Sequence, residues 1–349
     1  MPTNDRTRAT GSGRTQRVAE PFSTSAPMRR RSPLAALAVD WRVLAGIVLL
    51  AAGIALAHEP AANLAFFHVV NDLGRNAPAL WSDLSVAGLG LAAWIYLTFE
   101  AQDRPVVVAR LFWILLVGGL VIQAIKHGFP QPRPLAALGP GALTVVGGEL
   151  KTHSMPSGHS ALAFAMLGLM AHAPARSARA PRAIGAPSAL AWPALLTWGV
   201  LAVGIAMSRM SVGAHWPSDV FVGAGLGLVF AALAERAWPV AGLTRFLARP
   251  AGARVMTVGL LVSAVAIAAT PRVLASIGAP DVRFASRLDL RHLLDDPVQW
   301  VLGGIARLGH ASDTGYPLAE PLQWMLGIVA LWGAARWWLA GRYRSARTG

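Results

Sequence analysis

The chain contains no cysteine and unusually little charge. Without cysteine it has no disulfide framework, thiol nucleophile or zinc–thiolate site. Only 14% of its 349 residues are Asp, Glu, Lys or Arg, against about 25% in a typical soluble domain. So few charges could not cover the surface of a soluble globule, because 54% of the residues are hydrophobic and the mean hydropathy is +0.48. The composition therefore predicts a membrane protein.

The basic excess does not indicate nucleic-acid binding. The net charge is +14, but the basic residues are spread between apolar segments, and no nucleic-acid reader motif is present. We therefore expect no nucleic-acid partner. Residues 1–41 are rich in Arg, Ser, Thr and Pro and have few apolar residues to bury, so we predict a disordered basic tail.

Eight apolar segments predict an all-α polytopic transmembrane bundle, with about eight spans and a six-helix core. Several are shorter than the roughly 20 residues that a helix needs to cross a bilayer, so flanking residues such as Arg42 and Arg110 are expected to snorkel to its surface. The segments are Val43–Ala57, Leu84–Phe99, Val106–Ile125, Ser160–Ala173, Leu190–Met207, Val220–Ala234, Val255–Thr270 and Leu322–Leu339.

The distribution of Lys and Arg predicts the orientation. If the N-terminus is cytoplasmic and the spans alternate, most of the 31 basic residues lie in cytoplasmic segments, as the positive-inside rule requires. Both termini are then cytoplasmic. We expect a bacterial inner-membrane protein organised as a tail (1–41), a membrane core (42–236) and a C-terminal extension (237–349).

Two segments between the spans are expected to lie at the membrane surface. Pro60–Asp83 interleaves apolar and polar residues and is predicted to be interfacial. Pro271–Pro321 forms a longer external segment, in which Phe284–Ile305 could hold amphipathic helices lying on the bilayer.

Three polar clusters fall on the external face in this topology. The first is Lys126 with Arg133 and Pro134, the second is Pro156–His159, and the third is Ser208–Asp219. Lys126, Arg133 and Arg209 could neutralise a phosphate dianion, since Arg offers bidentate hydrogen bonds to its oxygens. Ser157 and Gly158 stand where a helix begins, and the backbone N–H groups and dipole there favour an anion.

The histidines of these clusters supply a nucleophile and a proton donor. His215 and Asp219 are four residues apart and share one helix face. A carboxylate bonded to one imidazole nitrogen leaves the other free to attack. His159 is available to protonate a leaving oxygen. His127, Lys151 and His153 lie beside the motifs and could also touch a substrate.

Together the clusters resemble the signature of the type 2 phosphatidic acid phosphatase superfamily. That signature is K-x6-R-P, P-S-G-H and S-R-x5-H-x3-D, and every fixed position matches over about residues 84–236. The resemblance implies a phosphohistidine formed on His215, which Asp219 orients, with His159 as general acid and then base. It implies no metal or other cofactor. The phosphoryl oxygens would be held by Lys126, Arg133, Ser157, Gly158 and Arg209.

The expected substrate is a lipid phosphate or diphosphate whose tail stays in the bilayer, hydrolysed at the non-cytoplasmic, periplasmic or extracellular face. An undecaprenyl-type polyprenyl diphosphate is the first choice, but phosphatidic acid, phosphatidylglycerol phosphate and lipid A remain open. So does phosphotransfer to a lipid acceptor. A vanadate-dependent haloperoxidase is disfavoured because those relatives look soluble. A lipid-phosphate binder or transporter is disfavoured because the ionisable residues lie at the span ends rather than at the midplane. No protein partner is indicated.

Overall fold

The computed structural model describes residues 40–88, 90–100, 104–146, 149–172, 191–268 and 319–346. Regular secondary structure in this part of the chain is helical throughout, which confirms the all-α class. Nearly all of the predicted tail and of the external segment Pro271–Pro321 lies outside the described residues, as does the stretch Phe284–Ile305.

Each predicted apolar segment lies largely on one or two helices. A π-helical turn, Ile114–Gly118, joins the helix Pro105–Trp113 to the helix Gly119–Gly128. In chain order the helices are α1 (Trp41–His58), α2 (Pro60–Asn76), α3 (Pro78–Ala87), α4 (Gly90–Glu100), α5 (Pro105–Trp113), α6 (Gly119–Gly128), α7 (Pro134–Leu138), α8 (Gly158–Ala171), α9 (Ala191–Ser211), α10 (Pro217–Ala234), α11 (Trp238–Leu247), α12 (Pro250–Ala268) and α13 (Ala319–Ala346).

Three helical runs among the described residues are long and apolar enough to cross a membrane: α1, the α5–α6 run and α10. The pair α3 and α4, bent by 63°, makes a fourth if it is counted as one span. Helix α8 and parts of α9 and α12 are apolar but shorter. These apolar helices support a membrane protein, and the count of eight crossings stays a prediction.

Helix α10 forms the centre of the bundle. It packs against α1 and α8. Of its 18 residues 78% are buried inside the protein, against 17% for the 18 residues of α1. Glycines allow this approach: a Cβ on Gly225 would lie 2.6 Å from the Gly46 carbonyl oxygen of α1, and one on Gly223 would collide with the Ser157 carbonyl oxygen. Such close backbone contact between apolar helices is typical of small residues. It places the start of α8 beside the first turn of α10.

A buried ion cluster ties the far ends of these helices together. Arg42 is fully buried and donates to Asp40 Oδ2 at 2.6 Å and to Glu235 Oε2 at 2.7 Å, while Arg110 donates to Glu235 Oε1 at 3.0 Å. The prediction that Arg42 snorkels to the membrane surface is therefore wrong. The carboxylate that follows α10 compensates its charge inside the bundle, as burial of a charge requires.

The C-terminal helices pack on the membrane core. Trp337 of α13 and Leu260 of α12 belong to one buried apolar cluster with Ile95 of α4 and Val107 of α5. The extension therefore shares its apolar packing with helices of the predicted core. The proposed boundary at residue 236 stays a prediction.

Candidate active site

His215 lies in the loop between α9 and α10. The N–H groups of Ala214 and His215 both donate to the Arg209 carbonyl oxygen, at 3.0 and 3.1 Å, which folds the chain back at the end of α9. Gly213 permits this turn, because its φ of +76° is costly for other residues and a Cβ there would lie 2.6 Å from the Thr144 carbonyl oxygen. The loop buries the imidazole to 2% exposure.

Asp219 fixes the tautomer of His215. It lies in the first turn of α10, and its Oδ2 accepts from the Trp216 N–H at 2.9 Å and from the Ser154 hydroxyl at 2.5 Å. The same oxygen lies 3.3 Å from His215 Nδ1. An ionised carboxylate only accepts hydrogen bonds, so we assign the proton to Nδ1, and Nε2 keeps its lone pair.

The other imidazole nitrogen faces a cation. Arg133 Nη1 lies 3.2 Å from His215 Nε2, and because a guanidinium only donates, Nε2 accepts. Burial, followed by the positive charges of Arg133 and Lys126, lowers the pKa of His215 well below its ordinary value of 6.5. The imidazole is therefore neutral at pH 7 and carries its lone pair on the nitrogen beside the cations.

Backbone carbonyls of residues 152–154 hold two of the predicted phosphate-binding cations. Lys126 donates to the His153 and Ser154 carbonyl oxygens at 2.7 and 3.2 Å. Arg133 donates from Nε to the Thr152 carbonyl oxygen at 2.8 Å. These acceptors are neutral, so a phosphate, which is an anionic acceptor, can replace them favourably.

Arg209 and His159 complete the group. Arg209 is 3% exposed and donates to the hydroxyl of Ser85 on α3. Its positive charge acts on both His159 and His215, together with those of Lys126 and Arg133. The His159 ring packs against α3, since a Cβ on Gly88 would lie 3.1 Å from its Cδ2. The three clusters, distant in sequence, therefore meet at one end of the bundle.

Ser157 and Gly158 form the start of α8. The Ser157 side chain is the N-cap and accepts from the Ser160 N–H at 3.4 Å, while its own N–H donates to the Asp219 carbonyl oxygen at 2.9 Å. This hydroxyl therefore supports the helix start and its contact with α10. A Cβ on Gly158 would meet no atom within 4 Å, which leaves space for a ligand beside its backbone. Both phosphate-binding roles stay predictions.

Sequence reasoning missed the asparagines of α2 that hold the loops of the site. Asn71 is 1% exposed, donates to the Thr144 and Met210 carbonyl oxygens at 2.8 and 3.0 Å, and accepts from the Thr144 N–H. Asn63 accepts from the Ser218 N–H at 3.1 Å, in the first turn of α10. The sequence did offer a signal, since Asn63 and Asn71 are amides in an otherwise apolar chain. Burying such a side chain is costly unless it is hydrogen-bonded, so these two residues could have been expected to have partners.

Among the described residues, no group of three or more His, Cys, Asp or Glu side chains is placed to hold a metal ion. The polar groups that the site does bring together are three cations, two histidines and one carboxylate. This set suits an anion, and its neutral imidazole has the lone pair that a nucleophile needs.

The comparisons with known proteins concern the same part of the chain. A family model described as the PAP2 superfamily matches residues 107–243, which include all three motifs. Among solved structures, the chain is similar to the crystal structure of Aquifex aeolicus LpxE, with 23% sequence identity and a TM-score of 0.40, over 50% of this chain and 94% of that one. A search of curated proteins found no match.

Proposed function

We propose, from the match of residues 107–243 to the PAP2 superfamily model, that the chain is an integral-membrane phosphatase of lipid phosphates or diphosphates. The observation that carries the proposal is the state of His215. Its Nδ1 is bonded to Asp219 and its Nε2 lone pair lies among Arg133, Lys126 and Arg209. A neutral, oriented nucleophile beside three cations matches the needs of phosphoryl transfer.

Binding of the phosphoryl group prepares the attack. Its oxygens replace the carbonyl acceptors of Lys126 and Arg133, because charge-assisted hydrogen bonds are stronger than neutral ones. As Arg133 turns to the phosphoryl oxygens, it uncovers His215 Nε2. The Nε2 lone pair then forms a bond to phosphorus, and the bond from phosphorus to the leaving oxygen breaks. His159, which becomes protonated once the bound phosphoryl group offsets the surrounding cations, gives its proton to that oxygen.

The second half of the reaction regenerates the enzyme. Asp219 stabilises the positive charge on the phosphorylated imidazole through Nδ1. His159, which has lost its proton, takes one from water, and the resulting hydroxide attacks phosphorus. The N–P bond breaks, its electron pair returns to Nε2, and inorganic phosphate leaves. No metal or other cofactor takes part in this scheme.

The substrate class follows from where the site lies. It is built at the ends of apolar helices, where a phosphate head group can enter while its tail stays in the bilayer. An undecaprenyl-type polyprenyl diphosphate is our first choice. By the positive-inside rule, the reaction takes place on the periplasmic face of a bacterial inner membrane.

The proposal is tested by phosphate release from the detergent-purified full chain in the presence of EDTA, across a panel of lipid phosphates and diphosphates. We expect release by the wild type, and background release by His215→Ala. The exposed histidine of α1 provides a matched control, since His58→Ala should retain activity. Undiminished release by His215→Ala would contradict the mechanism, as would a strict need for added divalent cation.

A further inference from the structure

A cavity of about 350 Å³ lies beside the proposed phosphate site. Lys126 and Arg133 line it, so both cations are shared with that site, whereas His215 is not among its lining residues. None of the other polar residues that line it is a fixed position of the three motifs: Gln123, His127, Glu149, Lys151, Thr152 and His153. The proposed mechanism uses none of these six side chains.

The charge of the cavity favours an anion. Three cations, Lys126, Arg133 and Lys151, outnumber one carboxylate, Glu149. Lys151 pairs with that carboxylate at 3.4 Å, but the two side chains are 63% and 67% exposed. Exposed ion pairs contribute little. Lys151 can therefore exchange Glu149 for an anionic group of a substrate at small cost.

Two histidines form a polar wall of the same cavity. The rings of His127 and His153 lie with their centroids 5.0 Å apart. His127 Nδ1 lies 2.8 Å from the Gln123 carbonyl oxygen, which can only accept, so Nδ1 carries the proton. Nε2 is then the ring nitrogen left to bond a ligand.

We propose that Lys151 and His127 form a second anion subsite, which holds the phosphoryl group adjacent to the one that His215 attacks. The inference rests on the proposed function and assigns to the site a preference for diphosphate heads over monophosphates. When Nε2 bonds to the terminal phosphorus, the bridging P–O bond breaks and its electron pair stays on the bridging oxygen. His159 protonates that oxygen, and Lys151 offsets the negative charge that the departing phosphate monoester still carries.

Binding of two inorganic probes tests the subsite without turnover. Titration calorimetry on the detergent-purified full chain gives the Kd of phosphate and of pyrophosphate, and the subsite predicts tighter binding of pyrophosphate. We define the ratio as the Kd of phosphate divided by the Kd of pyrophosphate, so that a preference for pyrophosphate gives a ratio above one. We expect Lys151→Gln to reduce this ratio about fivefold, since an exposed charge contact contributes up to about 1 kcal/mol. Glu149→Gln removes the opposing charge and should increase the ratio by about threefold.

Arg75 provides the control, because it is 73% exposed, pairs with Asp72 rather than lining the cavity, and should leave the ratio unchanged as Arg75→Gln. Equal Kd values in the wild type, or a ratio that Lys151→Gln does not change, would overturn the subsite. Lipid turnover separates the two ideas. If the wild type releases phosphate from lipids but Lys151→Gln does not change the Kd ratio, the subsite alone is rejected. If Lys151→Gln changes the ratio but no lipid is hydrolysed, the phosphatase is rejected and the subsite is retained.

Discussion

His153 shows how one backbone conformation arranges two cations. Its φ of +55° is left-handed, a region that Gly and Asn enter readily and that is costly for β-branched residues. In this conformation its carbonyl oxygen accepts from both Lys126 and Arg133. The preceding carbonyl, of Thr152, accepts from Arg133 Nε. Both cations are therefore positioned through the backbone of residues that the three motifs do not include.

Substitutions at residue 153 separate the backbone from the side chain. Asn and Val both remove the imidazole, but only Asn tolerates the left-handed region. We expect His153→Val to lower kcat/KM for lipid phosphate about tenfold or more relative to His153→Asn, because such backbone strain costs on the order of 1–3 kcal/mol. His153→Gly should behave like His153→Asn. Equal kcat/KM in the Val and Asn variants, at matched thermal stability, would refute this role of the backbone.

The pKa of His215 gives a prediction for the pH profile. The protonated imidazole cannot attack, and the pKa of His215 is lowered well below 6.5 by burial and by Arg133 and Lys126. We therefore expect kcat/KM, which reports the free enzyme, to stay high as the pH falls through 6.5 and to decrease only below it. Removing a cation favours the protonated imidazole. Arg133→Gln should therefore shift the acid limb, which is the decrease in kcat/KM at low pH, to higher pH.

The substrate also titrates, with a second phosphate pKa of about 6. That ionisation affects the wild type and Arg133→Gln equally, so a difference in pH between their acid limbs reflects the pKa of His215. An acid limb at the same pH in the wild type and in Arg133→Gln would show that the guanidinium does not set the pKa of His215.

At the scale of helices, the apolar runs and motif spacing predicted much of what the structure shows. Each predicted span lies largely on helix. The contact of His215 with Asp219 is observed, but the prediction that the two share one helix face is wrong, because His215 lies in the loop before α10, which begins at Pro217. The bend between α3 and α4 and the hydrogen bonds of Asn71 were not predictable. The bonds from Asn71 to Thr144 and Met210 join residues far apart in the chain, and periodicity carries no such information.

The close contact between α8 and α10 sets the position of Asp219 relative to Ser154. A Cβ at Gly223 would collide with the Ser157 carbonyl oxygen, one residue before the first turn of α8. We expect Gly223→Ala to lower the melting temperature and the rate of phosphate release, because overpacking costs about 1–3 kcal/mol and moves Asp219 away from Ser154. Gly259 of α12 has open space around a built Cβ, so Gly259→Ala is the matched control. Equal effects of the two changes would contradict this.

At the scale of the whole molecule, the two ends of the central helix differ in chemistry. Asp219 and Glu235 lie 16 residues apart on α10 or directly after it, which corresponds to about 24 Å along a helix. The first belongs to the candidate active site and the second to the buried cluster with Arg42 and Arg110. If α10 crosses the bilayer, these two sites face opposite compartments. The positive-inside rule predicts that the Glu235 end is cytoplasmic.

This orientation can be tested with single cysteine substitutions, because the chain has no native cysteine that would also react with a thiol label. Leu150 is 42% exposed beside the anion-binding cavity, and Arg245 is exposed on α11 after the Glu235 end. In intact cells, a membrane-impermeant maleimide should label Leu150→Cys and spare Arg245→Cys until the membrane is opened. Retained phosphate release verifies that each variant is folded. The reverse labelling pattern would place the site in the cytoplasm, and the proposed substrate would then have to be reached from that side.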